Sequence, residues 1–287
     1  MTMIKKAVIA VGGFGTRLLP ATKAQPKEMM VLVDKPVIHY IVEEASQSGI
    51  KDIIFVTSPN KQSIKNYFGH NLKLEQHLRD KNKTELLKQV IEPSKMANFF
   101  YVYQKKMAGC GGALLRAESL IKNEPFAVMF GDDVIDNSVP CLRQMTEIYK
   151  KYKTAIVAVQ KVPRSEVSKY GVIKGRKIKD RVYKIESLVE KPSIKEAPSD
   201  LAIVGRYIFP PTIFKYLKKV KINNNGELGV TEAILEMIQD MPVYAYEFKG
   251  TRLDCGSKPG YLKANFYFGK KHKEIGQEFN RWLKQNK

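Results

Sequence analysis

The sequence is poor in the residues that build disulfides and structural metal sites. Its 287 residues include three cysteines, Cys110, Cys141 and Cys255, and no two of them have C-x-x-C spacing. The four histidines form no metal-ligand pattern such as H-E-x-x-H. We therefore expect neither a disulfide framework nor a structural zinc site.

Long hydrophobic runs are also missing from the chain. No stretch reaches the about 18 consecutive apolar residues that span a bilayer. Lys5 and Lys6 lead directly into a short strand, without the apolar core or the cleavage site of a signal peptide. These absences predict a cytoplasmic protein with no membrane partner.

Acidic residues are scarce, since 29 Asp and Glu stand against 49 Lys and Arg, which gives a formal net charge of +20. Such a charge attracts phosphates and nucleic acids through its long-range field. The lysines are scattered, as in 215–221 and 270–273, and scattered lysines mainly confer solubility. A basic nucleic-acid-binding protein is an alternative, but no recognition helix, zinc or stacking motif supports it, so we expect no nucleic-acid partner.

Short β-branched and aromatic runs alternate with helical patterns along the chain. A strand at 6–11 precedes an amphipathic helix at 37–46 and a second strand at 53–57. This order favours a parallel sheet covered by helices, which is an α/β architecture. Further elements are predicted as strands at 99–103, 126–130, 155–160, 182–189, 201–208 and 243–248, and as helices at 113–121, 141–149, 212–218 and 230–239.

The length and the hydrophobic fraction of 44% predict one domain over residues 1–287. A polar, charged stretch around 70–96 is interpreted as a helical insertion in that domain. The segment around 258–287 is predicted to be helical, and its aromatic side chains are available for docking or for contacts between subunits.

The loop after the first strand combines glycines with cations. Gly12, Gly13 and Gly15 let backbone N–H groups come close to a large ligand, and Arg17 and Lys27 add fixed positive charge. Phosphoryl and nucleotidyl transfer depend mainly on positioning and on charge neutralisation, which such a loop supplies. We interpret the loop as a triphosphate cradle, and the alternative is a glycine turn with exposed cations.

Two other phosphate-binding motifs do not fit this loop. A dinucleotide fingerprint requires a third glycine where Leu18 stands, and Pro20 follows shortly after it. A P-loop requires G-x-x-x-x-G-K-[S/T], and the chain contains no such run.

Paired carboxylates end the apolar strand at 126–130. Ligands of open α/β sheets bind at the carboxyl ends of strands, so Asp132 and Asp133 are expected beside the glycine loop. Because adjacent residues of a strand point to opposite sides, one aspartate can hold Mg²⁺ while the other faces a different group. The alternative is a helix cap or a turn pair.

A third stretch, at 104–113, also passes from a strand through glycines into a helix. Gln104 carries an amide that can donate and accept hydrogen bonds at a pyrimidine edge. Gly109 has no side chain where a flat base would lie. Alone, this stretch does not identify a ligand.

Several longer motifs occur in order along nearly the whole chain. Together they resemble the bacterial UTP:glucose-1-phosphate uridylyltransferase family, also called UDP-glucose pyrophosphorylases. The motifs are G-G-x-G-T-R-L-L-P-x-T-K-x-x-P-K-E-M at 12–29, V-D-K-P at 33–36, Q-x-x-x-x-G-x-G at 104–111, G-D-D at 131–133, Y-G-V-I at 170–173, V-E-K-P at 189–192, G-R-Y-I at 205–208 and D-C-G-S-K-x-G-Y at 254–261.

The resemblance implies a Rossmann-like α/β fold of glycosyltransferase-A type, with a central mixed, mostly parallel sheet flanked by helices. It implies that the protein joins UTP and glucose 1-phosphate to give UDP-glucose and pyrophosphate, with Mg²⁺ as the cofactor. It also implies a homodimer or a homotetramer.

Carried over by motif, the resemblance implies four groups of site residues. The catalytic group is Arg17, Lys27 and Lys191. The nucleotide-binding group is Gly12, Gly13, Gly15, Thr16, Gln104 and Gly109. The sugar-binding group is Asp133, Gly171, Glu190 and Gly205. The metal ligands are Asp132 and Asp254. For Glu190 and Lys191 the alternative interpretation is a surface ion pair.

The chain departs from the family pattern at several positions. Gly112 stands where a histidine is usual, Gly229 replaces a glutamine, and Glu232 replaces an aspartate. The opening motif has Val11 and Gly12 in place of two alanines. These departures leave open a paralogue that binds nucleotides but turns over weakly, and pocket shape leaves open another base or another sugar 1-phosphate.

Overall fold

A nine-stranded sheet forms the centre of the protein, in a computed structural model that describes residues 4–104, 108–223 and 226–286. The strands of these residues are β1 (Lys6–Ala10), β2 (Val31–Leu32), β3 (Lys35–Pro36), β4 (Asp52–Thr57), β5 (Asn98–Tyr103), β6 (Phe126–Phe130), β7 (Asp133–Asp136), β8 (Ile156–Lys161), β9 (Gly171–Lys179), β10 (Val182–Glu190), β11 (Leu201–Phe209), β12 (Tyr244–Glu247) and β13 (Thr251–Asp254). The central sheet has the order β5-β4-β1-β6-β11-β8-β12-β10-β9.

The sheet is mixed, as predicted, but it is not mostly parallel. The β5-β4-β1-β6 half is parallel throughout, and β8 and β12 are also parallel. The other neighbours, β6–β11, β11–β8, β12–β10 and β10–β9, are antiparallel. For β9 and β10 the reason is their short connection, because only antiparallel strands can be joined without a long crossover.

Helices cover both faces of the sheet and confirm the predicted α/β architecture. Those of the described residues are α1 (Val37–Gln47), α2 (Gln62–Tyr67), α3 (Leu72–Asp80), α4 (Thr84–Lys95), α5 (Gly109–Ile121), α6 (Cys141–Tyr152), α7 (Ile213–Leu217), α8 (Val230–Asp240), α9 (Lys258–Lys271) and α10 (Gly276–Gln285). None of them has both the length and the apolar character that crossing a bilayer requires.

The two faces of β1 show why the sheet is covered on both sides. Ile9 packs into one core with α1, whereas its neighbour Val8 packs into the other core with α5. Both side chains are fully buried, because successive side chains of a strand point to opposite faces and helices lie on each face.

The predicted helical insertion and C-terminal segment each contain two helices, α3 with α4 and α9 with α10. The break after α9 falls at His272, whose Nδ1 atom accepts hydrogen bonds from the N–H groups of Glu274 and Ile275. The proposal of one domain over residues 1–287, with these two appendages, stays a prediction.

Six of these strands and helices were not predicted, namely β2, β3, α2, β7, β9 and β13, and the last three shape the site. β7 and β13 form a separate antiparallel pair that places Asp254 directly opposite Asp133. Each of these strands has four residues and carries charged side chains, so the hydrophobic pattern that marks a strand is weak in both. The β2–β3 hairpin and α2 are also short and were missed for the same reason.

A fully buried ion pair connects the middle of the sheet to the helices. Arg206 of β11 has no exposed surface, and its Nη2 atom lies 2.8 Å from Oε2 of Glu44 in α1. Arg206 also donates to the carbonyl oxygens of Phe130, Asp133 and Gly205. The pair therefore holds the turn that carries the paired aspartates.

We expect Arg206→Met to destabilise the protein strongly, because it leaves the Glu44 carboxylate buried without its counter-charge. Removing one partner of a buried pair costs about 3–5 kcal/mol, which urea unfolding would measure as a fall in the free energy of unfolding. Lys150→Ala is the control, since its ion pair with Glu147 is exposed and such pairs contribute below about 1 kcal/mol. Equal losses in the two variants would contradict the role of Arg206.

Candidate active site

A cavity of about 710 Å³ opens at the carboxyl end of β6, where parallel pairing with β1 gives way to antiparallel pairing with β11. Ligands of open α/β sheets bind at such places. The residues predicted for the site that line this cavity are Arg17, Asp132, Asp133, Gly171, Glu190, Lys191, Gly205 and Asp254. The fold thus brings the predicted metal and sugar residues around one space.

Lys27 reaches this site through an ion pair with Asp132, in which Nζ lies 2.6 Å from Oδ2. Burial lowers the pKa of Lys27, but Asp132 and Glu28 outweigh this effect and raise the pKa above its ordinary value. Burial raises the pKa of Asp132, whereas Lys27 and Arg17 pull it below the usual range. Asp132 is therefore kept as a carboxylate, the form that binds cations.

The charged groups of the site converge beside Gly256. A Cβ atom at this position would lie 2.5 Å from Oδ2 of Asp132, 2.9 Å from Nη2 of Arg17 and 3.1 Å from Oδ1 of Asp254. Two carboxylates and a guanidinium thus face the same space. A side chain at position 256 would collide with these groups, which is a physical reason for a glycine there.

Asp132 and Asp133 face different groups, as the pattern predicted. Nε of Arg252 lies 2.7 Å from Oδ1 of Asp133, and the backbone N–H of Gly205 donates to Oδ2 at 3.2 Å. The Asp133 side chain is 7% exposed, so its carboxylate is nearly buried.

The β9–β10 hairpin builds the opposite end of the cavity, with Gly171 paired to Glu190. The hydroxyl of Thr231 donates to Oε2 of Glu190 at 2.8 Å. Lys191 has a left-handed backbone, with φ of 48°, and its Nζ lies 3.7 Å from Oε1 of Glu190. Such a backbone is uncommon for a residue other than glycine and often marks a functional position. The Glu190–Lys191 ion pair is present, and it lines the cavity rather than a remote surface.

The glycine loop lies directly after β1. Gly15 has φ of 69°, a left-handed conformation that suits glycine, and its carbonyl accepts a hydrogen bond of 2.8 Å from the Thr22 hydroxyl. Gly12, Gly13, Gly15 and Thr16 do not line the large cavity. Their predicted contact with a nucleotide stays a prediction.

Gln104 and Gly109 flank residues 105–107, which lie outside the described residues. Gln104 is 5% exposed, and neither residue lines the cavity. Gly109 has φ of 70°, and a Cβ there would lie 2.9 Å from the carbonyl oxygen of Leu228. Close packing against the chain is therefore one physical reason for a glycine at this position.

Sequence reasoning missed a second buried ion pair beneath the site. Nζ of Lys61 lies 2.7 Å from Oε2 of Glu28, whose side chain is fully buried. Burial raises the pKa of Glu28 although Lys61 opposes this, and burial lowers the pKa of Lys61. Because the partners are 33 residues apart, no local pattern indicates the pair. Arg252 and Thr231 were missed for a related reason, since each meets its partner across the fold.

The comparisons with known proteins agree with this geometry. Residues 6–270 match the nucleotidyl transferase family. A UTP–glucose-1-phosphate uridylyltransferase from Staphylococcus haemolyticus is 44% identical over 285 residues, which cover 99% of each chain. A UDP-glucose pyrophosphorylase solved in complex with UDP-glucose is 44% identical with a TM-score of 0.84, covering 94% of this chain and 100% of that one. A UTP-bound UGPase from Acinetobacter baumannii is 38% identical with a TM-score of 0.93, covering 99% of this chain and 100% of that one.

Two of the departures from the family pattern compensate each other in space. A Cβ atom on Gly229 would collide with the carboxylate of Glu232, which folds back over the start of α8. The longer acid at 232 thus fills the volume that a side chain at 229 would take. Both residues line the cavity.

The third departure is also tightly surrounded. A Cβ on Gly112 would lie 2.5 Å from Cβ of Ala108, a distance at which one of the two must move. The same atom would lie 3.7 Å from Nε2 of Gln104. A larger side chain at position 112 therefore requires a different path for the preceding chain.

We expect Gly229→Gln alone to destabilise the protein, and Gly229→Gln with Glu232→Asp to recover most of the loss. Because the colliding atoms are the end of a flexible side chain, the loss should lie at the lower end of the about 1–3 kcal/mol that overpacking costs, and thermal unfolding would measure it. Glu236→Asp, the same shortening at an exposed position of α8, is the matched control and should not rescue. If Glu236→Asp rescues as well as Glu232→Asp, the two positions do not compensate.

Proposed function

The chain belongs to the nucleotidyl transferase family and, within it, to the UTP–glucose-1-phosphate uridylyltransferases, and from this premise we propose that it transfers the uridylyl group of UTP to glucose 1-phosphate. The products are UDP-glucose and pyrophosphate. The observation that carries the proposal is the convergence of Asp132, Arg17 and Asp254 at one end of a cavity whose other end holds Glu190 and Lys191.

The reaction is a direct displacement at phosphorus. A phosphate oxygen of glucose 1-phosphate forms a bond to the α-phosphorus of UTP, and the bond from that phosphorus to the oxygen of pyrophosphate breaks. The attacking oxygen is already ionised near neutral pH, so no general base is needed. The task of the protein is to align the two phosphates and to neutralise their charge.

Arg17 and Lys27 perform that neutralisation in our proposal. Lys27 is charged and pairs with Asp132 across 2.6 Å, so its ammonium lies where the triphosphate and the carboxylate meet. Nη2 of Arg17 lies 2.9 Å from the position of a Cβ at Gly256, next to Oδ2 of Asp132. Both cations come from the loop after β1, so one loop would neutralise the charge of the triphosphate.

Asp132 and Asp254 fit a divalent cation, which we propose to be Mg²⁺. Their oxygens face the space that a Cβ at Gly256 would fill, and carboxylate oxygens are the ligands that Mg²⁺ prefers. No described cluster joins three or more potential ligands, and Mg²⁺ is usually held by one or two carboxylates together with substrate phosphates. The ion supplies neutralisation of the phosphate charge when it is bound.

The other end of the cavity is proposed to bind the sugar. Glu190 and Asp133 supply acceptors for hydroxyl groups, and Lys191 supplies a cation for the sugar phosphate. Gly171 and Gly205 keep the backbone close, since a Cβ on Gly171 would lie 3.0 Å from Oε2 of Glu190. Orientation by Thr231 supports this role for Glu190.

The nucleoside is proposed to lie along the glycine loop. Gly12, Gly13, Gly15 and Thr16 follow β1, the strand beside the one that ends at the aspartates. Gln104 and Gly109 are proposed to contact the base. We also propose a cytoplasmic enzyme, because its nucleotide substrate is a cytoplasmic metabolite.

We propose that the protein forms a homodimer or a homotetramer through the apolar face of α9. Leu262 is 70% exposed and Phe266 is 45% exposed, and both line a groove of about 650 Å³. Large exposed apolar side chains that cluster in this way mark interaction surfaces. Sedimentation of Leu262→Glu tests this, since an unchanged oligomer would rule out this face.

We expect the purified protein to release pyrophosphate from UTP and glucose 1-phosphate in the presence of Mg²⁺, and to do so more slowly with TTP or galactose 1-phosphate. A coupled pyrophosphate assay measures this. Binding of UTP without pyrophosphate release would instead identify the nucleotide-binding paralogue, and preference for TTP or galactose 1-phosphate would reassign the substrate.

Arg17→Ala and Arg116→Ala form a matched pair for the same assay. Arg17 faces the convergence of charges, so its loss should lower kcat by about 10³-fold or more, as for other arginines that stabilise transferring phosphates. Arg116 is exposed on α5, away from the cavity lining, and its loss should leave kcat unchanged. A fall of less than about tenfold for Arg17→Ala would remove it from the catalytic group.

A further inference from the structure

Arg252 is a nearly buried cation that the proposed chemistry does not use. It lies in β13, its side chain is 9% exposed, and it lines the cavity. Its Nε atom lies 2.7 Å from Oδ1 of Asp133, and its guanidinium lies 4.9 Å from the centre of the Tyr170 ring. Two interactions of different kinds therefore hold the guanidinium in one orientation.

The contact between Arg252 and Asp133 places the carboxylates of Asp132 and Asp133 in different environments. Asp132 pairs with Lys27 and lies beside Gly256. Asp133 is turned away from that position, with one oxygen on Arg252 and the other on the N–H group of Gly205. Without Arg252, the buried carboxylate of Asp133 would keep a single backbone partner.

We propose that Arg252 is a positioning residue that dedicates Asp133 to the sugar end of the cavity and keeps it from acting as a metal ligand. The proposal rests on the proposed function, because it assigns Asp133 to the sugar. Arg252 acts on the substrate only through Asp133. Its effect is to separate the sugar-reading carboxylate from the metal-binding one.

The chemistry of arginine explains why this residue suits the task. A planar guanidinium can donate to a carboxylate in its own plane while its face lies on an aromatic ring, and its rigid plane fixes the two contacts relative to each other more firmly than a rotatable ammonium does. Arginine keeps its proton in proteins, so the charge that holds Asp133 is permanent.

The pairing of β7 with β13 fixes the position of Arg252 relative to Asp133. β13 pairs with β7 so that Asp254 lies opposite Asp133, which places Arg252 two residues from a proposed metal ligand. Strand β13 thus carries Asp254, a proposed metal ligand, and also Arg252, which keeps the Asp133 carboxylate away from the metal.

The decisive experiment compares Arg252→Met with the unchanged protein in two independent measurements. The first is steady-state kinetics, in which the KM for glucose 1-phosphate should rise by about 10-fold or more, the equivalent of a lost charge-assisted hydrogen bond. The KM for UTP should change by less than about 2-fold, because Arg252 does not touch the triphosphate loop.

The second measurement is Mn²⁺ binding to the protein without substrates, followed by electron paramagnetic resonance. Arg252→Met should bind Mn²⁺ more tightly, because Asp133, which lies directly opposite Asp254 in the β7–β13 pair, is then free to turn towards it. This readout does not depend on turnover. If the unchanged protein makes no UDP-glucose, the proposed function fails, whereas the Mn²⁺ titration still decides whether Arg252 restrains Asp133.

Two further variants separate positioning from folding. Arg252→Lys keeps the charge and should show a smaller rise in the KM for glucose 1-phosphate. Tyr170→Leu, which removes the ring and the hydroxyl that contact the guanidinium, should change this KM in the same direction. Arg181→Met is the matched control, since Arg181 donates to backbone carbonyls of Glu247 and Phe248 and should leave both KM values unchanged. Equal rises in the KM for both substrates, or unaltered Mn²⁺ affinity in a folded Arg252→Met variant, would overturn the proposal.

Discussion

The buried ion pair between Arg206 and Glu44 is the constraint on which the site depends. Arg206 donates hydrogen bonds to Glu44 and to three carbonyl oxygens, including those of Phe130 and Asp133. Glu44 in turn accepts the N–H group of Leu142 at the start of α6. A charge taken out of water in the middle of the sheet must be satisfied by a fixed set of partners. Those partners are the backbone on which the paired aspartates stand, so the core and the site share one geometry.

The site is organised by alternating charge along very short stretches of chain. Lys27 and Glu28 are neighbours, yet Lys27 pairs with Asp132 at the cavity and Glu28 pairs with Lys61 beneath it. Asp132 and Asp133 are neighbours as well, and they also have different cationic partners. Consecutive residues of opposite or like sign are thus kept in separate electrostatic environments. This arrangement gives a highly basic protein a site in which most strong charges already have a partner.

The sequence predicted those parts of the fold and the site that local patterns encode. The strands around 6–11 and 126–130 and the opposite directions of Asp132 and Asp133 follow from rules that act over a few residues. The antiparallel half of the sheet was not foreseen from the residues. Arg252 was missed because it meets Asp133 across 119 residues, and only the folded chain brings two such positions together. The ligand contacts assigned by resemblance remain predictions.

The contact between Gly229 and Glu232 also bears on how the chain can change over generations. A side chain added at 229 must first displace the Glu232 carboxylate that lies over it, whereas the acid can shorten to aspartate without any clash. A route from this sequence to the usual glutamine and aspartate is therefore smoother through glycine with aspartate than through glutamine with glutamate. One folded-back side chain thus gives the two orders of mutation different costs.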